Sequence, residues 1–228
     1  MNFADFEQKN SIVFSRKDLL REAFTHRSYL NENPSAGSHN ERLEFLGDAV
    51  LELVVTEYLY AKFPEKPEGE LTSLRAALVN ANMLSEIAQG LDMNSYMLLS
   101  RGEAKDVGRA RQYILANAFE ALVGAIYLDR GYEAAAEFIK AHVSSRTEEV
   151  VAKKLFRDAK SLFQERAQDA VGITPNYEVL KEWGPDHNKH FVVGVYLRDE
   201  LVAEGGGPSK QEAQQMAAEE GLKAKGWE

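Results

Sequence analysis

The chain reads as two units of different class: an all-α unit over residues 1–148 and a small α+β unit of order α-β-β-β-α over residues 157–227. Three observations carry this. Apolar residues recur every three or four positions from Phe3 to Ile139, the period of a helix packed on one side. Alternation with period two begins only past residue 176 and is cleanest in Phe191, Val193, Val195 and Leu197. Between the two patterns, over residues 149–156, periodicity weakens and charges of both signs mix, which marks a linker.

In the first unit, residues 3–30 are expected to form two short helices, the second opened by a capping box at Ser15-Arg-Lys-Asp18. Asn31–Ser38, rich in Asn, Ser, Pro and Gly, reads as a loop. A second capping-box pattern, Ser38-His-Asn-Glu41, starts a helix that runs to about Phe63, where Pro64 and Pro67 stop it. Residues 70–90 form the next helix, closed by Gly90 as a C′ glycine, and Gln112–Asp129 and 132–143 follow, parted at Gly131. In the second unit, a helix over Asp158–Ala170 precedes strands at Asn176–Trp183, His190–Arg198 and Leu201–Glu204. A final helix, Ser209–Ala224, opens on the capping box Ser209-Lys-Gln-Glu212.

Composition narrows the function classes. The chain has no cysteine, which removes disulfides, thiolate metal sites and cysteine nucleophiles and fits a reducing compartment. No apolar run reaches the length of a membrane span, and the N-terminus lacks a signal-peptide pattern, so a cytoplasmic protein without a membrane partner is expected. The net charge is −9, and residues 157–228 alone carry nine Lys and Arg against thirteen Asp and Glu. A nucleic-acid partner must therefore rest on placed residues and not on bulk charge.

The chemistry-bearing stretch is His39–Leu53. Glu41, Glu44 and Asp48 stand three and four residues apart, within an arc of roughly 60° on one helix face. Leu43, Leu46, Val50 and Leu53 fall mostly on the other side. Like charges at this spacing cost a few tenths of a kcal/mol per pair, a cost that a bound cation would offset. A second site, Asn117-Ala-Phe-Glu120, repeats the spacing on an apolar helix. Packed antiparallel, the two helices would gather Glu44, Asp48, Asn117 and Glu120 into an all-oxygen cluster of the kind that selects Mg²⁺ and suits metal-assisted phosphodiester hydrolysis. Spacing alone favours the plainer reading, a solvated acidic face with Glu41 as the N3 residue of its capping box. Of the histidines, His26 reads as structural, His39 sits near the capping box with no evident role, and His142 reads as a surface residue at a helix end. His187 and His190 belong to the connection between the first two strands, which is either an ordinary polar turn or a probe reaching into a groove. Gly205-Gly-Gly-Pro-Ser-Lys210 sets backbone amides and a lysine at a helix start, which is either a phosphate site or a glycine-rich turn with a good cap.

These residues resemble a known family. His39-Asn-Glu-Arg-Leu-Glu-Phe-Leu-Gly-Asp-Ala-Val-Leu51 is similar to the signature of the ribonuclease III endonuclease domain. Phe24-Thr-His-Arg-Ser-Tyr29, Gly69-Glu-Leu-Thr-Ser-Leu-Arg75 and Phe119–Asp129 resemble further blocks of that family in the same order. Residues 158–226 resemble a double-stranded RNA-binding domain, so the resemblance spans nearly the whole chain. It implies an all-α endonuclease domain followed by that α+β domain, in a homodimeric, Mg²⁺-dependent endoribonuclease in which Mn²⁺ can substitute. Such an enzyme cuts double-stranded RNA, ribosomal RNA and other structured precursors included, to products with 5′-phosphates and short 3′ overhangs. The resemblance further implies Glu44, Asp48, Asn117 and Glu120 as metal ligands, Asp48 and Glu120 as catalytic acids, and Glu41 as an accessory acid. Phe45 would plug into the partner subunit. Gln164 and Glu165 would face one minor groove, His187 the next, and Ser209 and Lys210 would hold phosphates between them, a recognition by A-form shape.

The chain departs from the family at two places. Asn117 stands where Asp is usual, which removes one unit of attraction for the cation. Gln211 and Gln214 stand where basic residues are frequent, so RNA affinity is expected to be modest and strongly salt-sensitive. The alternative is a catalytically impaired duplex-RNA-binding protein whose nuclease-like domain serves only to dimerise.

Overall fold

The computed structural model describes residues 2–105, 108–153, 159–185 and 189–227. Contacts divide the chain into two units, residues 1–156 and 157–228. The expected classes hold: the first unit is helical, and the second carries a three-stranded antiparallel sheet with a helix on each side of it in sequence.

The first unit contains α1 (Phe3–Lys9), α2 (Lys17–Ala23), α3 (Arg27–Glu32), α4 (Glu41–Lys62), α5 (Glu68–Val79), α6 (Ala81–Gly90), α7 (Arg109–His142) and α8 (Thr147–Ala152). Three short helices, not two, precede α4, because the Phe24–His26 segment turns aside to pair with Leu98. His26 N donates to Leu98 O at 3.0 Å and Leu98 N to Phe24 O at 2.9 Å. The Ser15 capping box does not form. The Asp129 carboxylate of α7 accepts instead from the backbone amides of Ser15 and Arg16, at 2.9 and 2.8 Å. Nor does Ser38 cap α4. The N-cap is Asn40, a buried residue whose side chain donates to Ala23 O at 3.2 Å and whose backbone N–H donates to Thr25 O.

Residues 70–90 divide at Asn80, which leaves the helical region with ψ 158° and caps α6 by accepting from Met83 N at 3.0 Å. Gly90 is the last residue of α6 and not its C′ residue. The left-handed residue beyond it is Asp92 (φ 58°), which pairs with Lys9 at 3.0 Å. Within α7 the backbone leaves the helical region at Gly131 (φ 81°, ψ −176°), so two helical stretches part at that glycine as expected. Helix α8 packs on α5 with Val150 fully buried, so residues up to Ala152 pack within the first unit and do not span a linker.

Helices α4 and α7 form the centre of this unit. Leu51, Val54 and Val55 of α4 meet Phe119, Leu122 and Val123 of α7 in a core that excludes water from all six. Burying side chains of this size contributes roughly 1.5–3 kcal/mol each, which makes this helix pair the rigid part of the unit. Arg75 ties α5 to α4 through an ion pair with Glu52 at 2.9 Å and a hydrogen bond to Thr56 at 3.0 Å.

The second unit runs α9 (Ala159–Val171), β1 (Asn176–Trp183), β2 (His190–Leu197), β3 (Glu200–Gly207) and α10 (Lys210–Lys225), with strand order β1-β2-β3. Phe163 and Ala167 of α9 pack with Val195 and Leu197 of β2 and Ala217 and Leu222 of α10. Strand β3 extends beyond the expected Glu204 because Gly205, Gly206 and Gly207 keep pairing with Val193, Val192 and Phe191. Glycine is required at the first of these. A Cβ on Gly205 would stand 2.0 Å from the Ala217 backbone nitrogen, so α10 lies directly against the strand.

Candidate active site and RNA-binding surfaces

Two glycines set the acidic cluster. Where α4 crosses α7, a Cβ on Gly47 would stand 1.8 Å from the Glu120 carbonyl oxygen, and one on Gly124 would stand 2.3 Å from that of Leu43. The antiparallel crossing is thus backbone on backbone. It leaves Glu44 and Asp48 on one helix beside Asn117 and Glu120 on the other.

The electrostatics follow from that approach. Glu120 is pushed up to about 8, first by burial and then by the charges of Asp48 and Glu44. The Glu44 carboxyl is also raised, mainly by burial and next by Glu41. The Asn117 side chain acts on Glu44 in the opposite sense, as a hydrogen-bond donor that favours its charged form. All four side chains expected from the sequence therefore interact across the helix crossing. Glu41 stands apart. It is exposed, with Arg27 at 3.6 Å and His39 at 3.8 Å, and it acts on Glu44 but is not among the charges that raise Glu120.

Three carboxylates and an amide make an all-oxygen donor set that fits a hard cation. Among the described residues no three His, Cys, Asp or Glu side chains already stand close enough to enclose a metal ion. The donor set nevertheless suits Mg²⁺, which uses few protein ligands and keeps several waters.

Phe45, beside the acids, is 81% exposed. Leu53, expected on the inward face, is exposed too, and with Tyr60 it continues the Phe45 stripe along α4 at spacings of eight and seven residues. His26 and His142 serve structure. His26 caps α3 by accepting from Ser28 N at 3.3 Å, and its burial lowers its basicity. His142, expected at the surface, is half-buried with its ring 4.7 Å from that of Phe138, and burial again lowers its basicity.

In the second unit Gln164 and Glu165 are exposed on α9, where they line a shallow open recess with Ser161, Gln168 and Asp169. Ser209 caps α10 by accepting from Glu212 N at 3.2 Å, and the exposed Lys210 places its ammonium 5.7 Å from the centre of the Phe191 ring. Because Gly205–Gly207 belong to a paired strand, the glycines are not a loop of amides open to a ligand. Gly205 and Gly207 serve close packing under α10. His187 lies outside the described residues.

The glycine crossing escaped the sequence reading. The signal was present in Leu-Gly47-Asp and Val-Gly124-Ala, each a lone glycine inside an apolar helix, the first beside Asp48 and the second one turn after Glu120. Arg75 and Asp129, which tie α5 and the start of α2 to this helix pair, were likewise visible only as members of matching blocks.

Comparison with known proteins agrees with this architecture. A Ribonuclease-III-like family model matches residues 16–147, and a double-stranded RNA binding motif matches residues 159–225. Ribonuclease 3 of Borreliella afzelii is 46% identical over 97% of this chain and 90% of its own length. Ribonuclease 3 of Protochlamydia amoebophila is 46% identical over 95% of this chain and 89% of its own. The solved nuclease domain of ribonuclease III from Campylobacter jejuni is 41% identical, with a TM-score of 0.56, and the match covers 63% of this chain and 99% of that one. With its glycine-crossed pair of acidic helices and its α-β-β-β-α unit, the chain belongs to the ribonuclease III family of double-stranded-RNA endoribonucleases.

Proposed function

We propose that the α4–α7 cluster is the catalytic centre of a divalent-cation-dependent cut in duplex RNA. The observation that carries this is the mutual repulsion of Glu44, Asp48 and Glu120 across the helix crossing, strong enough to help hold the Glu120 carboxyl up at about 8. Negative charge concentrated on a rigid core and left without basic partners among the described residues is what a cation site needs before the cation arrives. Mg²⁺, with Mn²⁺ as a substitute, would be held by Glu44, Asp48, Asn117 and Glu120, with Asp48 and Glu120 as the catalytic acids. A bound divalent cation supplies positive charge for the phosphate oxygens and makes water more acidic. The chain's own part is placement. Glu120 carries a proton near neutral pH in the metal-free state and gives it up when the site is filled. Asn117 orients Glu44, and the backbone crossing keeps the acids at fixed separation.

A homodimer is supported by the exposed Phe45, Leu53 and Tyr60 on α4, an apolar stripe that would be buried against a second copy. A solved structure of the Campylobacter jejuni nuclease domain is itself described by a region involved in dimer formation. Two copies would place one cluster on each strand of the duplex and leave 5′-phosphates and short 3′ overhangs. Gln164, Glu165 and His187 would meet minor grooves while Ser209 and Lys210 hold phosphates, so that ribosomal and other structured precursors are selected by shape. No helix among the described residues is long and apolar enough to cross a membrane, and cytoplasmic RNA is the substrate we infer.

The test is incubation of the full chain with labelled duplex RNA in Mg²⁺ and, separately, in Ca²⁺. Cleavage in the first and binding alone in the second is the expected outcome. Binding in both without a cut would overturn the nuclease reading and leave a duplex-RNA-binding protein.

A further inference from the structure

Two ammonium groups share one aromatic ring at the end of the sheet. Lys210, the first residue of α10, holds its ammonium 5.7 Å from the centre of the Phe191 ring. Lys189, just before β2, holds its own at 5.8 Å. Strand register gives the reason. Phe191 pairs with Gly207, so two residues further out Lys189 comes level with Ser209, the cap of α10. The ring is only 8% exposed and packs with Val193 and Ala213, which makes it a fixed point for both stems.

The sequence reading assigned phosphates to Ser209 and Lys210 alone, and Lys189 now stands beside both. Its carboxylate partner is Glu182, which lies opposite Phe191 on β1 and approaches the Lys189 ammonium at 3.5 Å. The Lys189 side chain is 35% exposed and that of Glu182 is 49% exposed. An ion pair this open to water is weak, so a phosphate can take the ammonium from the carboxylate. Two like charges drawn to one ring also repel each other, and a nucleic-acid backbone laid across them relieves that repulsion.

We propose that Lys189 is a phosphate-holding residue for duplex RNA, gripping one strand beside Lys210, with Glu182 as the internal competitor that the strand displaces. The two lysines take adjacent phosphates, and the Phe191 ring sets their spacing. The proposal rests on the reading of the second unit as the RNA-binding part. It adds a cation from the sheet to a surface expected to be poor in charge at Gln211 and Gln214. Glu182 then sets how tightly that surface binds.

The experiment measures the affinity of the full chain for duplex RNA over a salt series, with Ca²⁺ in place of Mg²⁺ to prevent cutting. Lys189→Gln should weaken binding several-fold and reduce the slope of log affinity against log salt by about one, as for the loss of one phosphate contact. Lys189→Arg keeps the charge and should keep the slope. Glu182→Gln should bind several-fold tighter, and should lose most of that gain when combined with Lys189→Gln. A Glu182→Gln gain that persists in full without Lys189 would overturn the part given to Glu182. Weaker binding by Lys189→Gln at an unchanged slope would show that Lys189 only packs on the sheet, and would overturn the assignment. An unchanged Lys189→Gln slope, with a smaller slope for Lys210→Gln, would overturn it too while leaving the RNA-binding reading standing. If the unsubstituted chain fails to bind duplex RNA, the RNA-binding reading falls and this proposal falls with it.

Discussion

Gly47 and Gly124 occupy each other's side-chain space. A Cβ on the first would stand 2.8 Å from the backbone nitrogen of the second, and a Cβ on the second 3.1 Å from that of the first. The acids one turn away on either helix are brought together by this contact and not by any attraction between them, since carboxylates repel. The core beneath α4 and α7 supplies the force that holds them.

Gly47→Ala should therefore be among the most damaging small substitutions in the chain. Its new methyl group meets the Glu120 carbonyl, which is backbone and cannot swing aside, so a loss of about 3 kcal/mol or more is expected, at the upper end for overpacking. Gly69→Ala is the control. A Cβ there meets nothing within 4 Å in an ordinary helical segment, and a gain of up to about 1 kcal/mol is expected. Thermal unfolding of both variants checks the pair, and equal effects would contradict the crossing.

The raised Glu120 carboxyl gives a pH dependence of definite sign. Its folded-state value, about 8, lies above the ordinary 4.5, so the folded chain binds more protons than the unfolded one between these values. Stability contributed by the protonated group is full below about 4.5 and is lost as pH rises through about 8. Glu120→Gln cannot ionise. In metal-free buffer its melting point should gain on that of the parent chain from about pH 5 to about pH 8 and then stay level. A gap constant across that range would show that Glu120 titrates normally.

Asn117→Asp adds a fourth carboxylate and removes the donor that favours the Glu44 anion. Without metal the variant should be less stable than the parent, and with Mg²⁺ it should reach half-maximal cleavage at a lower metal concentration. The parent should gain more than the variant when Mn²⁺ replaces Mg²⁺. Superimposable metal-titration curves for the two would remove Asn117 from the ligand set.

Phe45→Ala should convert the dimer to a monomer in sedimentation equilibrium, with loss of cleavage but little change in unfolding at low protein concentration. The ring is 81% exposed within its own chain and contributes little there. A dimer of unchanged affinity would move the interface elsewhere.

Much of this arrangement was legible in the residues. Period and alternation located both units, and the spacing of Glu44, Asp48, Asn117 and Glu120 placed three acids and an amide on the facing sides of their helices. The capping box at Ser209 forms, and the two at Ser15 and Ser38 do not, for a physical reason. Capping-box patterns at Ser15 and Ser38 are local, whereas the groups that hold the residues leading into α2 and α4 are Asp129, Ala23 and Thr25, distant in sequence. The run Gly205–Gly207 suits either a phosphate site or a turn by composition, because glycine is common in both, but at Gly205 and Gly207 its use is to let α10 approach a strand. Leu53 followed the apolar pattern of α4 and yet faces outward with Phe45, since an exposed apolar stripe has the same composition as a buried one.

The most direct test of the central claim compares cleavage of one end-labelled duplex RNA by the parent chain and by Glu120→Gln across a Mg²⁺ series, with binding measured in parallel. The expected result is Mg²⁺-dependent cutting of both strands by the parent and none by Glu120→Gln, with equal duplex affinity. Cutting by Glu120→Gln at the parent's rate and metal dependence would contradict the claim that the crossed helices α4 and α7 hold the catalytic centre.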